Sequence, residues 1–543
     1  MANLRALPFQ NIALSLSGGG YRAAAFHLGS MTYLNHCQWQ NKPLLNQLVV
    51  LSTISGGTIT GVKYALCLKQ EKSFATFFGE LYQFLKADTL LPDALGILNT
   101  PNAWGNSGKQ RNLINSFARV YQSQLLDGQN FGFLLDPTDP QIPEFVFNST
   151  DIEHQLAFRF QKRISRNALI GNGKADASIS MEEAREILLG DIVAASSCFP
   201  GGFEPLIMPH DFTASDSSLL AVAWKGETPG ADKKPLRLMD GGIVDNQGIE
   251  GVMNLDKSVY DNTGKPYVGT FIVSDVTTKQ VDYPTETPGR SPILLNVSLR
   301  FYNLLAMILL AGLLALIWFT SNKWLLVGSA VLATICILWL VAGLWLTKKF
   351  IRSIKKTVSQ ESPSFLEDFS ILRAVKLKYV VALLGVRVSA LGRLADVFMK
   401  RIRELNQKLL FGNKHWRYRV VTNYIYDLSQ SEPVDNNDRL SPIVKKANAM
   451  GTSLWFPSEE NASDTAALEA LIITGQATMC HNILEYIEKI RKERDPELPA
   501  EFLAKFDQLQ PEIEQLKQHC LADFARFNTE PEWLFRQMQP GQG

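Results

Sequence analysis

The sequence predicts an α/β fold with a mostly parallel central sheet that is interrupted by a hairpin of two transmembrane helices. Before residue 295, short apolar runs alternate with segments of helical periodicity, which is the pattern of βαβ units. Two long apolar stretches then occupy the middle of the chain, and a strand-like run returns after them at 417–428. The return of strand character indicates that the hairpin is inserted within the α/β domain rather than appended to it.

Apolar runs bounded by turn residues mark the predicted strands, and apolar residues at helical spacing mark the helices. Strands are predicted at 11–17, 45–55, 144–152, 270–276 and 417–428. Helices are predicted at 21–37, from Gly57 onward, at 464–492, and from Ser180, which forms a capping-box pattern with Glu183, to about Ala195. Segments 205–235 and 276–300 are rich in Pro, Gly, Ser and Thr and are predicted to be loops.

The two apolar stretches, 301–320 and 324–347, lack charged residues and are each long enough to cross a hydrocarbon layer of about 30 Å. Basic residues are concentrated on their outer flanks: Arg290, Arg300, Lys348, Lys349, Arg352, Lys355 and Lys356. By the positive-inside rule we expect an integral membrane protein whose large soluble parts face the cytoplasm, in the inner membrane if the source is bacterial. The alternative is a buried helical hairpin within a large soluble core.

The predicted organisation has five regions. They are the first part of the core (1–295), the transmembrane hairpin (301–347), a basic amphipathic helical region (360–412), the remainder of the core (413–495) and a helical C-terminal tail (496–543). In the third region, residues 364–411 combine an apolar face with many Arg and Lys residues, a pattern typical of a helix on an anionic membrane surface. An ordinary amphipathic helix packed on the sheet fits the same pattern.

Composition excludes several classes of partner and cofactor. The formal net charge of +1 gives no global attraction to nucleic acid, and protein partners stay unassigned. The six cysteines are scattered without a C-x-x-C pair, which indicates reduced thiols. Three His-Cys neighbours occur, at 36–37, 480–481 and 519–520, but none has a second ligand at zinc-site spacing. We therefore expect neither a metal site nor a cofactor.

Three glycine-rich sites carry the candidate chemistry. Gly18-Gly19-Gly20-Tyr21-Arg22 follows a predicted strand and precedes a helix, where exposed N–H groups and the helix dipole can hold an oxyanion or a phosphate. Thr53-Ile54-Ser55-Gly56-Gly57 resembles a G-x-S-x-G nucleophile elbow with Thr53 in place of the first glycine; a structural serine in a turn is the alternative. Asp240-Gly241-Gly242 presents a carboxylate on a sharp turn, or is a plain surface turn.

These three sites, in this order, resemble the patatin-like phospholipase family. The resemblance extends to the Ser196–Pro205 loop, to the strand Phe147–Asp151 and to the region around Gly475. It implies a three-layer α/β sandwich and a Ser-Asp dyad without histidine.

Carried onto this chain, the resemblance makes Ser55 the nucleophile and Asp240 its base. Gly18, Gly19 and Gly20 would form the oxyanion hole, and Arg22 would contact a lipid phosphate or brace the loop. Support for the two turns would come from Gly56, Gly57, Gly241 and Gly242.

The resulting hypothesis is a phospholipase A-type acyl hydrolase that cleaves membrane phospholipids, which are both substrate and environment. Alternatives are a hydrolase of other lipid esters or acyl thioesters, and a membrane scaffold with vestigial hydrolase motifs. A triad completed by His415, His481 or His519 is less favoured, because none of them lies in a recognisable loop after a strand.

Overall fold

The computed structural model describes residues 6–100, 104, 108–136, 143–162, 169–200, 202–213, 218–225, 233–277, 298–357, 397–413, 415–429, 438–453, 466–492 and 500–539. The chain forms two compact units. Residues 1–281 and 397–543 make up one, and residues 282–396 make up the other. The first unit, called here the α/β unit, contains every residue singled out for catalysis.

A mixed sheet forms the centre of the α/β unit. Its strands are β1 (Ile12–Leu16), β4 (Leu48–Ile54), β5 (Glu144–Asp151), β6 (Leu156–Lys162), β7 (Ile170–Gly171), β8 (Ser178–Ile179), β9 (Leu206–Met208), β10 (Leu236–Asp240), β11 (Thr270–Asp275) and β12 (Val420–Tyr424). A separate small hairpin pairs β2 (Gln38–Trp39) with β3 (Lys42–Pro43).

The strand order places the parallel strands together at one side of the sheet. The order is β12-β11-β1-β4-β5-β6-β7-β8, and β10 pairs with both β5 and β9. Strands β12, β11, β1, β4 and β5 are mutually parallel, whereas β6 to β10 pair antiparallel. β5 and β11 are buried along their whole length, as expected for strands covered by helices on both faces. The prediction of an α/β fold with a mostly parallel sheet is confirmed.

Helices cover the sheet on both faces. In the α/β unit they are α1 (Gly20–His36), α2 (Gly56–Lys69), α3 (Phe74–Ala87), α4 (Leu90–Asn99), α5 (Leu113–Val120), α6 (Leu189–Ser197), α7 (Leu219–Lys225), α8 (Ile249–Thr263), α11 (397–412), α12 (Leu440–Ala449), α13 (Ala467–Lys492), α14 (Ala500–Gln508), α15 (Gln510–Thr529) and α16 (Trp533–Met538).

Helix α1, which is almost fully buried, packs through glycines against the buried first half of α13. A Cβ on Gly29 would lie 2.0 Å from the carbonyl oxygen of Ile472, and one on Gly475 would lie 2.1 Å from that of Phe26. The two backbones therefore approach more closely than any side chain permits. Because α13 follows the apolar hairpin in sequence, the core of this unit is built from both halves of the chain.

Two predictions of local structure are wrong. Ser180 and Glu183 do form the reciprocal capping bonds, but the helix begins only at Leu189. The carbonyls of Arg185 and Ile187 instead accept hydrogen bonds from Gly132 and Phe131, which prevents the chain from continuing as a helix. The predicted loop 205–235 contains β9 and α7. The predicted loop 276–300 lies mostly outside the described residues.

The second unit contains two long apolar helices, α9 (Leu299–Phe319) and α10 (Lys323–Thr357). Their spans 300–319 and 323–341 have mean hydropathies of 2.2 and 2.4, and only 6% and 11% of their most apolar windows are buried. By length and composition both can cross a membrane. The turn Thr320–Asn322 joins them, so the two apolar stretches are each a single helix, as predicted from the sequence.

Helix α11 is the part of the predicted basic amphipathic region (360–412) that the structure describes. Residues 360–396 of that region lie outside the described residues. One face packs on the α/β unit, with Leu410 fully buried. Another face leaves four apolar side chains 45–62% exposed: Val397, Phe398, Leu405 and Leu409. The alternative of packing on the core therefore holds for one face of α11.

Candidate functional site

Ser55 lies on a sharp turn between β4 and α2. Its backbone has φ 50° and ψ −119°, a conformation that is strained for any residue with a Cβ. The glycines after it are required by close packing, since a Cβ on Gly56 would lie 2.0 Å from the carbonyl oxygen of Gly20 and one on Gly57 would lie 2.4 Å from that of Leu16. This is the geometry of a nucleophile elbow, which presents the serine at the carboxyl end of the sheet.

Thr53 does not disturb the elbow, although it replaces the usual first glycine. Its hydroxyl lies 2.9 Å from that of Thr58, and both side chains are fully buried. Its methyl group occupies the space beside Gly61, where a Cβ would lie only 2.5 Å away. A glycine one turn into α2 therefore accommodates the threonine.

Asp240 ends β10, and its carboxyl lies close enough to Ser55 for that side chain to lower its pKa. Its Oδ1 also accepts the Gly242 N–H at 2.7 Å, and a Cβ on Gly241 would lie 2.6 Å from the Asn148 carbonyl oxygen. Burial raises the pKa of Asp240 to about 6, against the lowering effects of the Gly242 and Ser55 hydrogen bonds and of the Arg403 charge. The carboxylate thus has the proton affinity that a base near neutral pH requires.

The loop Gly18–Gly20 lies beside Ser55, because a Cβ on Gly18 would lie 3.2 Å from the Ser55 Cβ. Gly19 and Gly20 have φ values of 148° and 62°, which favour glycine. The Gly18 N–H donates to the Asn246 carbonyl at 3.1 Å, so it is not a free oxyanion donor, contrary to its predicted role. Among the hydrogen bonds of the described residues, none uses the amide of Gly19 or Gly20.

Arg22, in the first turn of α1, is only 3% exposed. Its Nε and Nη2 have no hydrogen-bond partner among the described residues. Burial lowers the pKa of Arg22 to about 10, the Asp275 carboxylate acts to raise it, and the Arg403 charge lowers it further. A buried guanidinium with unused donors is a suitable contact for an anionic group.

Sequence reasoning missed the residues that hold the elbow in place. The Ser55 N–H donates to Ser196 Oγ at 2.9 Å, and Ser196 Oγ donates to the Asn148 carbonyl at 2.6 Å. Asn148 in turn donates to the Thr53 carbonyl at 3.1 Å. Ser196 and Asn148 were noted only as parts of family-like segments; their roles depend on contacts between distant parts of the chain.

A second missed residue is Arg403, which α11 brings to the same end of the sheet. Its Nη2 lies 3.8 Å from Asp275 Oδ1. With the Asn246 amide oriented to satisfy its hydrogen bonds, Asn246 Oδ1 accepts from Arg403 Nε at 3.2 Å and Nη2 at 2.7 Å. The backbone carbonyl of Asn246 accepts the Gly18 amide, so Arg403 is linked to the glycine loop through the side chain and backbone of this one residue. The basic pattern of 364–411 contained Arg403 but did not distinguish it.

No histidine hydrogen-bonds to Ser55 or Asp240 among the described residues. His415 lies against Tyr260, His481 lies against Phe524, and His519 pairs with Asp523. The arrangement brought together here therefore consists of a serine on an elbow, a buried carboxylate and a glycine loop. These are the elements of acyl transfer without an imidazole.

Comparison with known proteins agrees with this class. Residues 14–253 match the family model described as patatin-like phospholipase. No curated protein sequence matches the chain. A solved structure of human GIVD cytosolic phospholipase A2, in complex with methyl gamma-linolenyl fluorophosphonate and terbium chloride, is 17% identical, with a TM-score of 0.27. The match covers 42% of this chain and 35% of that one.

Residues 14–253 are a patatin-like phospholipase domain, and the resemblance drawn from the motifs is confirmed. The family is one of lipid acyl hydrolases.

Proposed function

We propose that the protein is a phospholipase A-type enzyme that hydrolyses acyl esters of membrane phospholipids with Ser55 and Asp240. The observation that carries the proposal is the position of Ser55, on its strained elbow, beside the buried Asp240 carboxylate, whose pKa burial raises to about 6 and the Ser55 side chain acts to lower. At neutral pH most of this carboxylate is ionised and able to accept a proton.

In the first step Ser55 Oγ attacks the acyl carbonyl carbon while its proton passes to Asp240. The tetrahedral oxyanion accepts hydrogen bonds from the Gly19 and Gly20 amides, each worth roughly 3–4 kcal/mol by analogy with other oxyanion holes. The bond from the acyl carbon to the glycerol oxygen then breaks, and Asp240 returns the proton to that oxygen. Water, deprotonated by Asp240, then attacks the acyl carbon, the bond from that carbon to Ser55 Oγ breaks, and Asp240 returns the proton to Ser55 Oγ as the fatty acid leaves.

Two basic side chains favour a phospholipid over a neutral lipid. Arg22 is buried with unused guanidinium donors, and Arg403 lies near the same Asp275 carboxylate. A phosphate near Arg22 would supply hydrogen bonds that the described residues do not. Hydrolysis of other lipid esters or of acyl thioesters needs the same serine and carboxylate but not these cations.

The apolar helices favour a membrane location. We propose that α9 and α10 cross the bilayer and that the α/β unit faces the cytoplasm, as the basic flanks predict. The exposed apolar side chains of α11 and the basic residues beside them, Lys400, Arg401 and Lys408, fit contact with an anionic leaflet. The domain limits predicted from the sequence are retained as part of this proposal.

The test uses the purified full chain in vesicles of phosphatidylethanolamine and phosphatidylglycerol, with fatty acid release measured by mass spectrometry. Ser55→Ala and Asp240→Asn are compared with wild type and with two matched controls, Ser123→Ala and Asp261→Asn, at exposed positions. We expect both site variants to be inactive and both controls to be active. Release of fatty acid by Ser55→Ala at the wild-type rate would contradict the assignment of Ser55 as the nucleophile. A wild-type protein that releases no fatty acid from any lipid tested would favour the alternative of a membrane scaffold with vestigial hydrolase motifs.

Parallel assays with triacylglycerol and an acyl-coenzyme A thioester separate the alternatives within the hydrolase class. Carbonate extraction of membranes tests the location independently, because an integral protein stays in the pellet. Recovery of the protein in the soluble fraction would contradict the membrane hairpin without affecting the assignment of Ser55.

A further inference from the structure

Three side chains with metal-binding atoms meet on the α/β unit, away from the elbow in sequence. His36 is the last residue of α1, and His519 and Asp523 lie one turn apart on α15. His36 Nε2 lies 3.3 Å from His519 Nε2 and 3.3 Å from Asp523 Oδ2, and His519 Nε2 lies 3.2 Å from the same oxygen. The three atoms form a nearly equilateral triangle.

This triangle has the dimensions of one face of a tetrahedral zinc site. Zinc binds histidine nitrogen and carboxylate oxygen at about 2.0–2.1 Å, and tetrahedral angles then place neighbouring ligand atoms about 3.3–3.4 Å apart. Two histidines and one carboxylate form a ligand set known from zinc sites, in which the fourth position is open to water. The match requires no rearrangement of the two helices.

Without a metal ion, hydrogen bonds alone satisfy the polar atoms of this cluster poorly. Asp523 Oδ2 also accepts a hydrogen bond from the Tyr33 hydroxyl at 3.1 Å. If both imidazoles donated from Nε2, a single carboxylate oxygen with about two lone pairs would receive three hydrogens. A cation bound between the three side chains takes the place of the hydrogens on the two Nε2 atoms and uses the lone pairs of both nitrogens. The Tyr33 hydroxyl then orients the carboxylate as an outer-sphere partner.

We propose that His36, His519 and Asp523 bind a divalent transition-metal ion, with zinc as the best fit. The side chains of His36, Asp523 and His519 are 26%, 13% and 37% exposed, so an ion can reach them from solvent. Nitrogen and oxygen ligands at this spacing exclude the larger oxygen cage that calcium prefers. The bound ion would fasten α15 to the end of α1, whose other end begins at Gly20 in the glycine loop.

The sequence does not reveal this site, because its ligands are 483 residues apart. Each histidine is followed by a cysteine, and Cys37 Sγ lies 3.9 Å from Cys520 Sγ in the buried core beneath the cluster. A thiolate site at Cys37 and Cys520 is therefore the rival ligand set. The experiment must separate the two.

The experiment measures zinc binding by the full chain in detergent micelles, after removal of metal with EDTA. Calorimetry with Zn²⁺ alone gives stoichiometry and affinity, and Co²⁺ replacement gives a visible spectrum that reports the ligands. We compare wild type with His519→Ala, Asp523→Asn, the double variant His36→Ala/His519→Ala, Cys520→Ala, and the control His481→Ala, which lies on α13 outside the cluster. Circular dichroism of the metal-free proteins verifies that each variant is folded.

We expect one zinc per chain in wild type, His481→Ala and Cys520→Ala, and a loss of affinity of at least about 100-fold in each ligand variant, beyond the effect of losing an outer-sphere partner. The cobalt spectrum should lack an intense thiolate charge-transfer band. Stoichiometric binding that survives in the folded double variant overturns the proposal, as does binding that is lost in Cys520→Ala. Absence of binding by wild type overturns it as well.

Discussion

Asp240 and Asp523 are both carboxylates with little exposure to solvent, yet their surroundings change their proton affinities in opposite directions. Burial raises the pKa of Asp240 to about 6, and its hydrogen bonds only partly oppose this effect. Burial acts the same way on Asp523, but hydrogen bonds from His36 and His519 outweigh it and hold the pKa of Asp523 well below its ordinary value. The chemistry available to an aspartate is therefore set by its neighbours.

The largest expected effect distinguishes Asp240 as the proton acceptor. Asp240→Asn should lower the rate of fatty acid release by about 10²–10⁴-fold, because an amide cannot accept the Ser55 proton. Initial rates on phospholipid vesicles measure the effect, with Asp261→Asn as the matched control. Loss of less than about 10-fold would mean that another group removes the proton.

The pH profile sharpens the same comparison. With a pKa of about 6, the Asp240 carboxylate is mostly protonated at pH 5, so kcat/KM should fall about 10-fold for each pH unit below 6 and level off above it. The measurement is kcat/KM from pH 4.5 to 8.5 with a neutral-headgroup lipid, whose own charge is constant over this range. A profile that is flat down to pH 4.5 would show that burial does not govern this carboxylate.

Replacing Arg403 should have a smaller effect on kcat/KM, because this side chain acts both by positioning Asn246 and by its charge. Removing it frees the Asn246 side chain beside the glycine loop and removes a positive charge that lowers the pKa of Asp240. Arg403→Ala should reduce kcat/KM about 10-fold, since small misplacements of catalytic groups have effects of this size, and should move the pH midpoint upward. Arg185→Ala, at an exposed position outside α11, is the control and should do neither.

The smallest expected effects are on the unfolding free energy, and they have opposite signs for Asp240→Asn and Asp523→Asn. Because the folded-state pKa of Asp240 is raised, the unfolding free energy falls as pH rises from about 4 to about 6, by up to about 3 kcal/mol. Asp240→Asn should therefore stabilise the protein by about 1–2 kcal/mol at pH 8 and have little effect at pH 4.

For Asp523 the folded-state pKa is lowered, so its contribution is present above pH 4 and disappears in acid. Asp523→Asn should destabilise the protein by about 1–2 kcal/mol at pH 8, with EDTA present to exclude any effect of metal. Denaturant unfolding followed by tryptophan fluorescence measures both variants. If both variants changed the unfolding free energy in the same direction at pH 8, the contrast between Asp240 and Asp523 would be wrong.

The sequence predicted those parts of the fold whose pattern is local. The predicted strands 11–17, 45–55, 144–152, 270–276 and 417–428 contain β1, β4, β5, β11 and β12, because each is a continuous apolar run bounded by turn residues. Strands β6 to β10 escaped prediction; of these, β7 to β9 have only two or three residues, which carry no periodicity. The helix expected from Ser180 failed because distant residues bind its carbonyl groups.

The candidate site divides in the same way. Ser55, Asp240 and the glycine loop were visible because each lies in a short motif, and their catalytic roles stay predictions until they are tested. Ser196, Asn246 and Arg403 act through contacts across the fold, and no local pattern distinguishes them. The hydrogen bond of the Gly18 amide could not be predicted either, because its partner is a backbone carbonyl more than 200 residues away.

The pairing of β12 with β11 has a consequence for the order of events during synthesis. Residues 299–357 leave the ribosome before Val420–Tyr424 and before α13, so the edge of β11 and one face of α1 are uncovered while the apolar helices are being made. Arg403 also emerges only after them. A nascent chain that already contains Ser55 and Asp240 thus lacks a finished domain while the apolar helices are being made.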